Sequence, residues 1–247
     1  MIESTQALVL NKRNYGDSSL ICNLFSKENG KITIIAKGAK SIKNPLGALL
    51  QPLNYIECTY YYKSTRNIQT LKEASLIDKY YNIEKDYKKM QYSLIILDIV
   101  NQINYIDSPS KIIFRLVNRT LNSINNEKVN NIDILFVFFQ LQYLIYLGYY
   151  PSIENCIKCE DPLDSAQFDY LRGQLLCCKC GDNELLLNKE CLAIMKFLIK
   201  THITEIINQF NFNKNLCKSI NKFLYKFILY HIPEIKKSKA LKIINHV

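Results

Sequence analysis

The chain has 247 residues, of which 48% are hydrophobic and 22% are charged, so its composition is globular and excludes a disordered or collagen-like chain. Its 32 lysines and arginines outnumber 22 acidic residues and give a formal charge of +10, which indicates a polyanionic partner. The N-terminal residues contain no apolar signal segment, and Asp133, Gln140 and Gln142 interrupt the most apolar run, at 132–151. We therefore expect a cytoplasmic protein that does not span a membrane.

The positive charge is concentrated at the two ends of the sequence. Residues 1–80 hold 11 basic and 6 acidic side chains, residues 81–180 hold 10 and 11, and residues 181–247 hold 11 and 5. Lysine outnumbers arginine 27 to 5, as in AT-rich coding sequences, so ordinary solvated surface is an alternative explanation for part of the charge. Coding bias does not readily explain a neutral middle between two basic ends.

Residues 1–80 have the pattern of a small β-barrel. Five short segments are rich in β-branched and aromatic residues and are separated by Gly, Asn, Ser and Pro. The predicted strands are 5–13, 18–26, 31–38, 53–62 and 68–75. Their number, and the longer connection between the third and the fourth, favour an OB-type barrel, a class that often binds single-stranded nucleic acid.

From about residue 82 the hydrophobic period becomes helical. Helices are predicted at 92–103, 110–124 and 133–148. Pro109 and Ser110 favour a helix start, and Gly148 favours a helix end. After a cysteine-rich stretch, two more helices are predicted, with apolar stripes from Cys191 to Ile207 and from Leu216 to Ile228.

Five of the nine cysteines lie between residues 156 and 180. Cys156 and Cys159 form one C-x-x-C pair and Cys177 and Cys180 form a second, with 17 residues between the pairs. Each C-x-x-C turn directs two thiolates at one point, and two turns complete a tetrahedron of soft ligands. Between the pairs, a strand, a turn at Gly173 and a second strand are typical of a zinc ribbon. We predict one structural Zn²⁺ per chain, because four thiolates leave no position for a catalytic water.

A disulfide staple, a redox dithiol and incidental cysteines are the alternatives to the metal site. Disulfides rarely persist in a cytosolic protein, and a thioredoxin-like dithiol needs a βαβ context that this sequence lacks. Cys178 could form C-x-C with Cys180, but that knuckle is rarer, so Cys178 is left without a metal. The other cysteines lie in apolar patterns and are predicted to fill cores; they are Cys22, Cys58, Cys191 and Cys217.

We therefore predict an α+β multidomain protein. An OB-type nucleic-acid-binding domain occupies residues 1–80, a helical domain occupies 81–150 and 188–247, and a four-cysteine zinc ribbon is inserted at 151–187.

Three segments of the sequence, together with this order of domains, resemble a known family. They are ALVLNKRNYGDSSLICNLFSKENGKITIIAKGAKS (7–41), GALLQPL (47–53) and LGYYPSIENCIKC (147–159). The first has a Tyr-Gly-acidic turn and a Lys-Gly-Ala-basic segment, the second a Leu-Gln-Pro segment, and the third a Leu-Gly-Tyr lead into the cysteines. The chain resembles the RecO family of bacterial DNA repair proteins over nearly its whole length. It departs from the family at Asp17, where glutamate is commoner.

The resemblance implies a recombination mediator associated with the nucleoid. The family binds single- and double-stranded DNA, anneals complementary strands without ATP and partners RecR. It acts on DNA coated by single-stranded DNA-binding protein, whose acidic C-terminal tail it binds among its helices, and it helps to load RecA. Some members lack the cysteines, so the resemblance does not make the metal the functional centre.

Ten basic side chains are the candidates for DNA contact. They are Lys12 and Arg13 at the end of the first strand, Lys37, Lys40 and Lys43 in the segment that matches the family's basic loop, Lys63 and Arg66 in the last hairpin, and Lys218, Lys222 and Lys226 on the last helix. Phosphate contacts from such residues give affinity without sequence preference. Ordinary solvation is the alternative for each of them.

The segment TYYYK (59–63) is a candidate for base stacking. Strand alternation sends Tyr60 and Tyr62 to one side and Tyr61 to the other, so at least one ring is expected to face outward. Packing in the core or at its rim is the alternative for each ring.

Two other functions are weighed against DNA repair. An RNA-binding accessory protein with an OB domain and a zinc ribbon fits the same composition. An enzyme is disfavoured, because His202, His231 and His246 all follow the cysteines and no Cys-His or H-E-x-x-H pairing is present. We expect a binding protein without catalytic residues.

Overall fold

The computed structural model describes residues 1–103, 110–126, 131–182, 186–209 and 213–238. It divides into two compact units, Met1–Asn125 and Asn126–Val247. The division into an OB domain, a helical domain and a ribbon insertion stays a prediction about domain boundaries. Among the helices in these ranges, none has the length and apolar character needed to cross a membrane.

The first unit is built on a closed five-stranded barrel. Its strands are β1 (Ile2–Tyr15), β2 (Ser19–Ser26), β3 (Gly30–Ala36), β4 (Tyr55–Tyr61) and β5 (Gln69–Asp78), in the order β1-β2-β3-β5-β4. Neighbouring strands are antiparallel except β3 and β5, which pair in parallel at two positions only. The predicted OB-type barrel is therefore confirmed, with strand ends shifted by a few residues.

Both faces of β1 are buried at Ala7–Leu10, which explains the unbroken apolar run there. Ala7 and Val9 point into the barrel core, while Leu8 on the outer face is equally buried. Helix α3 (Tyr87–Gln102) packs on β1 and β2, and α4 (Ser110–Asn125) packs on β2 and β3. The ring centroids of Phe25 and Phe114 lie 5.9 Å apart in this contact. The helices therefore cover part of the outer surface of the barrel, and ligands must bind elsewhere on it.

Short helices α1 (Leu46–Leu49) and α2 (Tyr81–Glu84) complete the first unit and have no counterpart among the predicted elements. Helix α3 begins five residues earlier than predicted, because the side chain of Asp86 caps it by accepting from the backbone N–H of Lys89 over 2.9 Å. Helix α4 begins at Ser110, as predicted. Pro109 lies outside the described residues.

The second unit packs helices around the apolar α5 (Ile132–Tyr146). The others are α6 (Lys189–Lys200), α7 (Ile203–Gln209), α8 (Lys214–His231) and a 3₁₀ helix (Pro233–Lys237). The glutamines that interrupt the apolar run have specific partners: Gln140 Nε2 donates to Asn221 Oδ1 over 2.7 Å, and Gln142 Nε2 donates to the Leu198 carbonyl over 3.0 Å. Helix α5 is thus a buried core helix whose polar groups are satisfied by its neighbours.

The single stripe predicted from Cys191 to Ile207 is wrong, because the segment forms two helices. Thr201 has an extended backbone (φ −94°, ψ 151°) and ends α6. His202 Nδ1 lies 2.9 Å from Thr204 Oγ1 at the start of α7. The apolar spacing continues through the break, so periodicity alone does not reveal it.

The end of α5 is set by Gly148, as the sequence predicts. Gly148 has φ +85°, its N–H donates to the Ile145 carbonyl over 3.0 Å, and the N–H of Tyr149 donates to the Leu144 carbonyl over 2.9 Å. This is the hydrogen-bond pattern of a Schellman motif. It turns the chain out of the helix toward the cysteine ribbon.

Replacing Gly148 with alanine should destabilise the end of α5 by about 1 kcal/mol, because a Cβ is unfavourable at positive φ. The effect is conformational, since an added Cβ at Gly148 has nothing within 4 Å. Hydrogen exchange of a peptide covering 140–150 should quicken about fivefold. Gly148→Asn is the matched control and should recover part of the loss, because Asn tolerates the left-handed region. Equal exchange in wild type and Gly148→Ala would contradict this.

Candidate nucleic-acid interface and metal centre

The basic loop, which we define as residues 37–45 between β3 and α1, folds back on the turn between β1 and β2. The N–H of Lys40 donates to the Ser18 carbonyl over 2.9 Å, and its Nζ donates to the Gly16 carbonyl over 3.1 Å. Inside the loop, the N–H of Asn44 donates to the Ser41 carbonyl over 2.9 Å. The two segments that match the family pattern, the Tyr-Gly-acidic turn and the Lys-Gly-Ala-basic segment, therefore bind one another.

An open groove of about 540 Å³ lies between the basic loop and the end of β1. Lys12 and Lys40 bring positive charge to its lining, and Asn14, Asn44 and Gln51 add amide groups. No Asp or Glu is among the described residues that line it. Lys40 keeps donor capacity for a ligand after its bond to Gly16, because an ammonium group has three donors. The groove is suited to phosphate groups.

The other first-unit candidates lie outside the groove lining. Lys37 and Lys43 are exposed in the same basic loop, and Arg13 is exposed next to Lys12 on β1. Lys63 and Arg66 are exposed in the separate loop between β4 and β5. The structure thus brings Lys12 and Lys40 to one groove, leaves three cations exposed on the same strand and loop but outside the lining, and places the remaining two on another loop.

Gly47 and Gln51 hold the groove in shape, although neither was selected as a site residue from the sequence. A Cβ at Gly47 would lie 2.4 Å from the carbonyl oxygen of Ala39, so only glycine permits the close approach of α1 to the basic loop. Gln51 Nε2 donates to the Gly47 carbonyl over 2.8 Å. Both residues belong to the GALLQPL segment, whose family match was the signal available for them.

Strand alternation predicts only in part which of the three tyrosines at the end of β4 are buried. Tyr60 is 1% exposed, whereas Tyr61 is 46% and Tyr62 is 37% exposed. Tyr60 donates its hydroxyl to Glu3 Oε2 over 2.7 Å. Burial raises the pKa of the Tyr60 hydroxyl, and the hydrogen bond to Glu3 raises it further, so the hydroxyl stays protonated. Tyr62 lies past the end of β4, where strand alternation no longer applies.

Tyr62 lines a second cavity of about 430 Å³, which also contains Asn29, Asn67 and Gln69. Gln69 is buried and orders the loop between β4 and β5: its Oε1 accepts from the N–H of Lys63 over 2.9 Å, and its Nε2 donates to the Lys63 carbonyl over 3.1 Å. This buried amide fixes the loop that carries Lys63 and Arg66. Sequence reasoning missed it, because a glutamine at a strand start is ordinary.

The candidate metal centre joins the two C-x-x-C turns in the second unit. The Sγ atoms of Cys156, Cys159, Cys177 and Cys180 all lie within 4.8 Å of one another. Strands β6 (Gln167–Asp169) and β7 (Gln174–Leu176) pair antiparallel between the turns. The N–H of Ile157 donates to the Leu175 carbonyl over 3.1 Å and ties the first turn to β7. The predicted strand, turn and strand of a ribbon are confirmed.

The cysteine positions fit a tetrahedral metal. Cys159 Sγ and Cys177 Sγ are 3.7 Å apart, and two thiolates on one tetrahedral Zn²⁺ are separated by about 3.8 Å for Zn–S bonds of about 2.3 Å. Burial raises the pKa of the Cys156 thiol, but hydrogen bonds from the backbone at Cys159, Cys177 and Lys158 outweigh it and lower that pKa to about 6. The backbone around Cys156 therefore favours the thiolate form of that residue, which a metal needs.

The remaining cysteines lie outside this cluster. Cys178 is exposed, and none of the nine cysteines forms a disulfide. Burial raises the pKa of Cys22 to about 11 and that of Cys58 to about 12, so both thiols stay protonated at neutral pH. These two are core residues of the barrel.

The three C-terminal candidates lie on α8. Lys218 and Lys222 are exposed, and Lys226 is half-buried with its Nζ 5.0 Å from the ring centroid of Tyr170 in the ribbon. The structure therefore places the last lysine of the helix beside the turn between β6 and β7.

Comparison with known proteins decides the family. The model described as "Recombination protein O N terminal" matches residues 1–80, and the model described as "Recombination protein O C terminal" matches 84–240. The chain belongs to the RecO family. Its role therefore lies in DNA repair and recombination, as the resemblance implied.

RecO-family relatives match along most of this chain. A protein named DNA repair protein RecO from Alkaliphilus metalliredigens is 26% identical over 239 residues, covering 95% of this chain and 96% of the relative. One of the same name from an Exiguobacterium species is 28% identical over 202 residues, covering 82% and 80%. A third, from Salinibacter ruber, is 34% identical over 156 residues, covering 62% and 59%.

Proposed function

We propose that this RecO-family chain is a recombination mediator that binds single- and double-stranded DNA and anneals complementary single strands without ATP. The observation that carries the proposal is the groove in which Lys12 and Lys40 meet. The segments that build this groove are the ones that resemble the family most closely. A cationic groove with no acidic lining binds phosphates of any sequence, which is what annealing of arbitrary strands requires.

The proposed partners are those of a mediator. RecR and the acidic C-terminal tail of single-stranded DNA-binding protein bind the chain, and RecA is loaded indirectly on the coated strand. We place this activity in the cytoplasm, at the nucleoid. The chain acts as a binding protein and not as an enzyme, since annealing requires no covalent bond to be made or broken. The NGKIT segment also lacks the first Gly and the final Ser/Thr of a phosphate-cradling loop.

We propose that the metal is Zn²⁺, bound by Cys156, Cys159, Cys177 and Cys180. When bound, it supplies four bonds that cross-link the two turns of the ribbon, with no position left for a reacting water. The protein residues do the rest: the backbone amides of the turns favour thiolate, and the β6–β7 pair sets the distance between the turns. The metal is therefore structural.

Annealing of two complementary oligonucleotides, one of them labelled and both coated by single-stranded DNA-binding protein, tests the function. Without ATP, the wild-type chain should accelerate annealing over the spontaneous rate. Lys12→Ala with Lys40→Ala should remove most of the acceleration, because both cations line the groove. Lys72→Ala with Lys85→Ala removes the same charge from exposed positions outside it and should have little effect. Binding without acceleration, or preferential binding of RNA in competition, would overturn the mediator function in favour of a general nucleic-acid-binding protein.

A further inference from the structure

The turn between β6 and β7, which we call the ribbon tip (residues 169–173), is fixed against the end of α8. Tyr230 donates its hydroxyl to the Leu171 carbonyl over 2.9 Å, and His231 Nε2 lies 2.9 Å from the Gly173 carbonyl oxygen. A Cβ at Gly173 would lie 2.2 Å from a ring carbon of Tyr230, so the tip lies directly on that ring. The tip is therefore a rigid feature of the second unit.

This rigid tip exposes apolar groups in one place. Tyr170 is 55% exposed, Leu171 is 86% exposed, and Tyr230 beneath them is 42% exposed. The ring of Phe168 supports both tyrosines from the inside, edge-on to Tyr170 at 5.1 Å and to Tyr230 at 6.5 Å between centroids. Single exposed apolar residues need no explanation, but a contiguous, ordered group of them marks an interaction surface.

A row of lysines leads along α8 to the same place. Lys214, Lys218, Lys222 and Lys226 recur every fourth residue, and Tyr230 continues the row. The 18 residues of α8 include no acidic side chain. Like charges four residues apart destabilise a helix, and none of these lysines has an ion pair within the part of the chain that the structure describes. A bound polyanion would relieve this repulsion.

We propose that the ribbon tip and the lysine row form a second site, for unpaired nucleic acid. Tyr170, Leu171 and Tyr230 contact the faces of exposed bases, and Lys222 and Lys226 contact the phosphates next to them. This proposal rests on the proposed function and adds to it a binding surface outside the barrel groove.

The chemistry of the surface selects a single strand. Stacking needs flat apolar groups that a duplex hides between its base pairs, and aromatic platforms beside cations are how proteins hold unpaired strands. Successive lysines of the row are about 6 Å apart along the helix axis, from a rise of about 1.5 Å per residue. Lys226 Nζ, 5.0 Å from the Tyr170 ring, joins the phosphate-binding and base-binding parts.

A second single-strand site also explains what the ribbon contributes to binding. Without the ribbon, α8 would present lysines alone, whereas the ribbon tip adds the exposed rings at the end of the row. In an annealing protein, one site can hold a strand while another holds its complement. The metal then acts indirectly, by holding the turns that carry β6 and β7.

Photo-cross-linking of the full, metal-loaded chain to an oligo-dT containing 5-iodouracil tests the proposal, with peptides identified by mass spectrometry. We expect cross-links at Tyr170 and Tyr230 in addition to the barrel.

In the Lys12→Ala, Lys40→Ala background, Tyr170→Ala with Leu171→Ala should weaken oligo-dT binding about tenfold. Tyr87→Ala, at a tyrosine that is 83% exposed on α3, is the matched control and should change nothing. Lys222→Ala with Lys226→Ala should reduce the magnitude of the slope of log K against log salt by about 1.4, from about 0.7 per phosphate contact on a single strand.

The substituted side chains are exposed except Lys226, which is half-buried, and none is a cysteine of the cluster. The variants should therefore keep one metal per chain, which verifies that the ribbon is folded. If oligo-dT binds the wild type but cross-links only to barrel peptides and the tip variant binds equally, the second site is overturned and the proposed function stands. If wild type binds no oligo-dT at low salt, the proposed function fails first. Cross-linking of an acidic peptide to the tip, without oligo-dT, would replace nucleic acid with a protein partner and overturn the proposal.

Discussion

Replacing Cys177 with serine should remove the metal and unfold the ribbon. Cys177 is buried and lies 3.7 Å from Cys159 Sγ, so no solvent-exposed ligand can take its place without moving the turn. In the described part of the ribbon, backbone pairing consists of two strands of three residues each and two isolated bridges, too little to persist alone. Structural zinc supplies about 10–16 kcal/mol of apparent binding energy in zinc-finger peptides, so loss of the proposed Zn²⁺ should destabilise the ribbon strongly.

Metal analysis and hydrogen exchange together measure this result. The metal content should fall from about one per chain to below about a tenth in Cys177→Ser, and peptides covering 154–181 should lose protection. Cys178→Ser is the matched control: the side chain is adjacent and exposed and lies outside the cluster, so metal and protection should be kept. The barrel core, made of residues between 7 and 74, should be unaffected in both variants. A metal retained by Cys177→Ser, or lost by Cys178→Ser, would show that the ligand set is wrong.

The parts of the fold that the sequence predicted well follow from local sequence patterns. Strands and the turn at Gly173 follow from alternation and from a backbone that needs φ +66°, and the Gly148 stop follows from φ +85°. The cysteine cluster follows from spacing, because a C-x-x-C turn is local and two such turns can share one ion. The strands and turns depend on residues a few positions apart, and the cluster depends on two such local turns with 17 residues between them, which is why one sequence was sufficient.

Contacts between distant segments were beyond the same reasoning. The docking of the ribbon tip joins Leu171 to Tyr230 across 59 positions, and Gly47 meets Ala39 only because α1 folds against the basic loop. The break between α6 and α7 also escaped, because the apolar spacing runs through Thr201 without interruption. The same limit applies to the basic residues. The sequence identifies them as candidates, but only the fold shows that Lys12 and Lys40 line the groove whereas Lys63 and Arg66 lie on another loop.

Replacing Lys37, Lys40 and Lys43 together with alanine should cause the largest loss of DNA affinity available from one loop. All three belong to the basic loop, which the Lys40 bonds hold against the first turn; Lys40 lines the groove, and Lys37 and Lys43 are exposed on the same loop. If each contacts one phosphate, the magnitude of the negative slope of log K against log salt should decrease by about 2 for single strands and by nearly 3 for duplex, from about 0.7 and about 0.9 per contact. Affinity should fall most at low salt, where counterion release contributes most.

The slope separates a contact surface from a general charge effect. Lys27→Ala, Lys72→Ala and Lys85→Ala together remove the same charge from exposed positions of the first unit outside the groove. This control should lower affinity slightly and leave the slope nearly unchanged, since distant charges are screened within about 10 Å at 0.1 M salt. An unchanged slope in the basic-loop variant would remove that loop from the interface. If the magnitude of the slope falls but stays well above zero for single strands, the remainder counts the phosphates held elsewhere, by Lys12 in the groove and by the lysine row of α8.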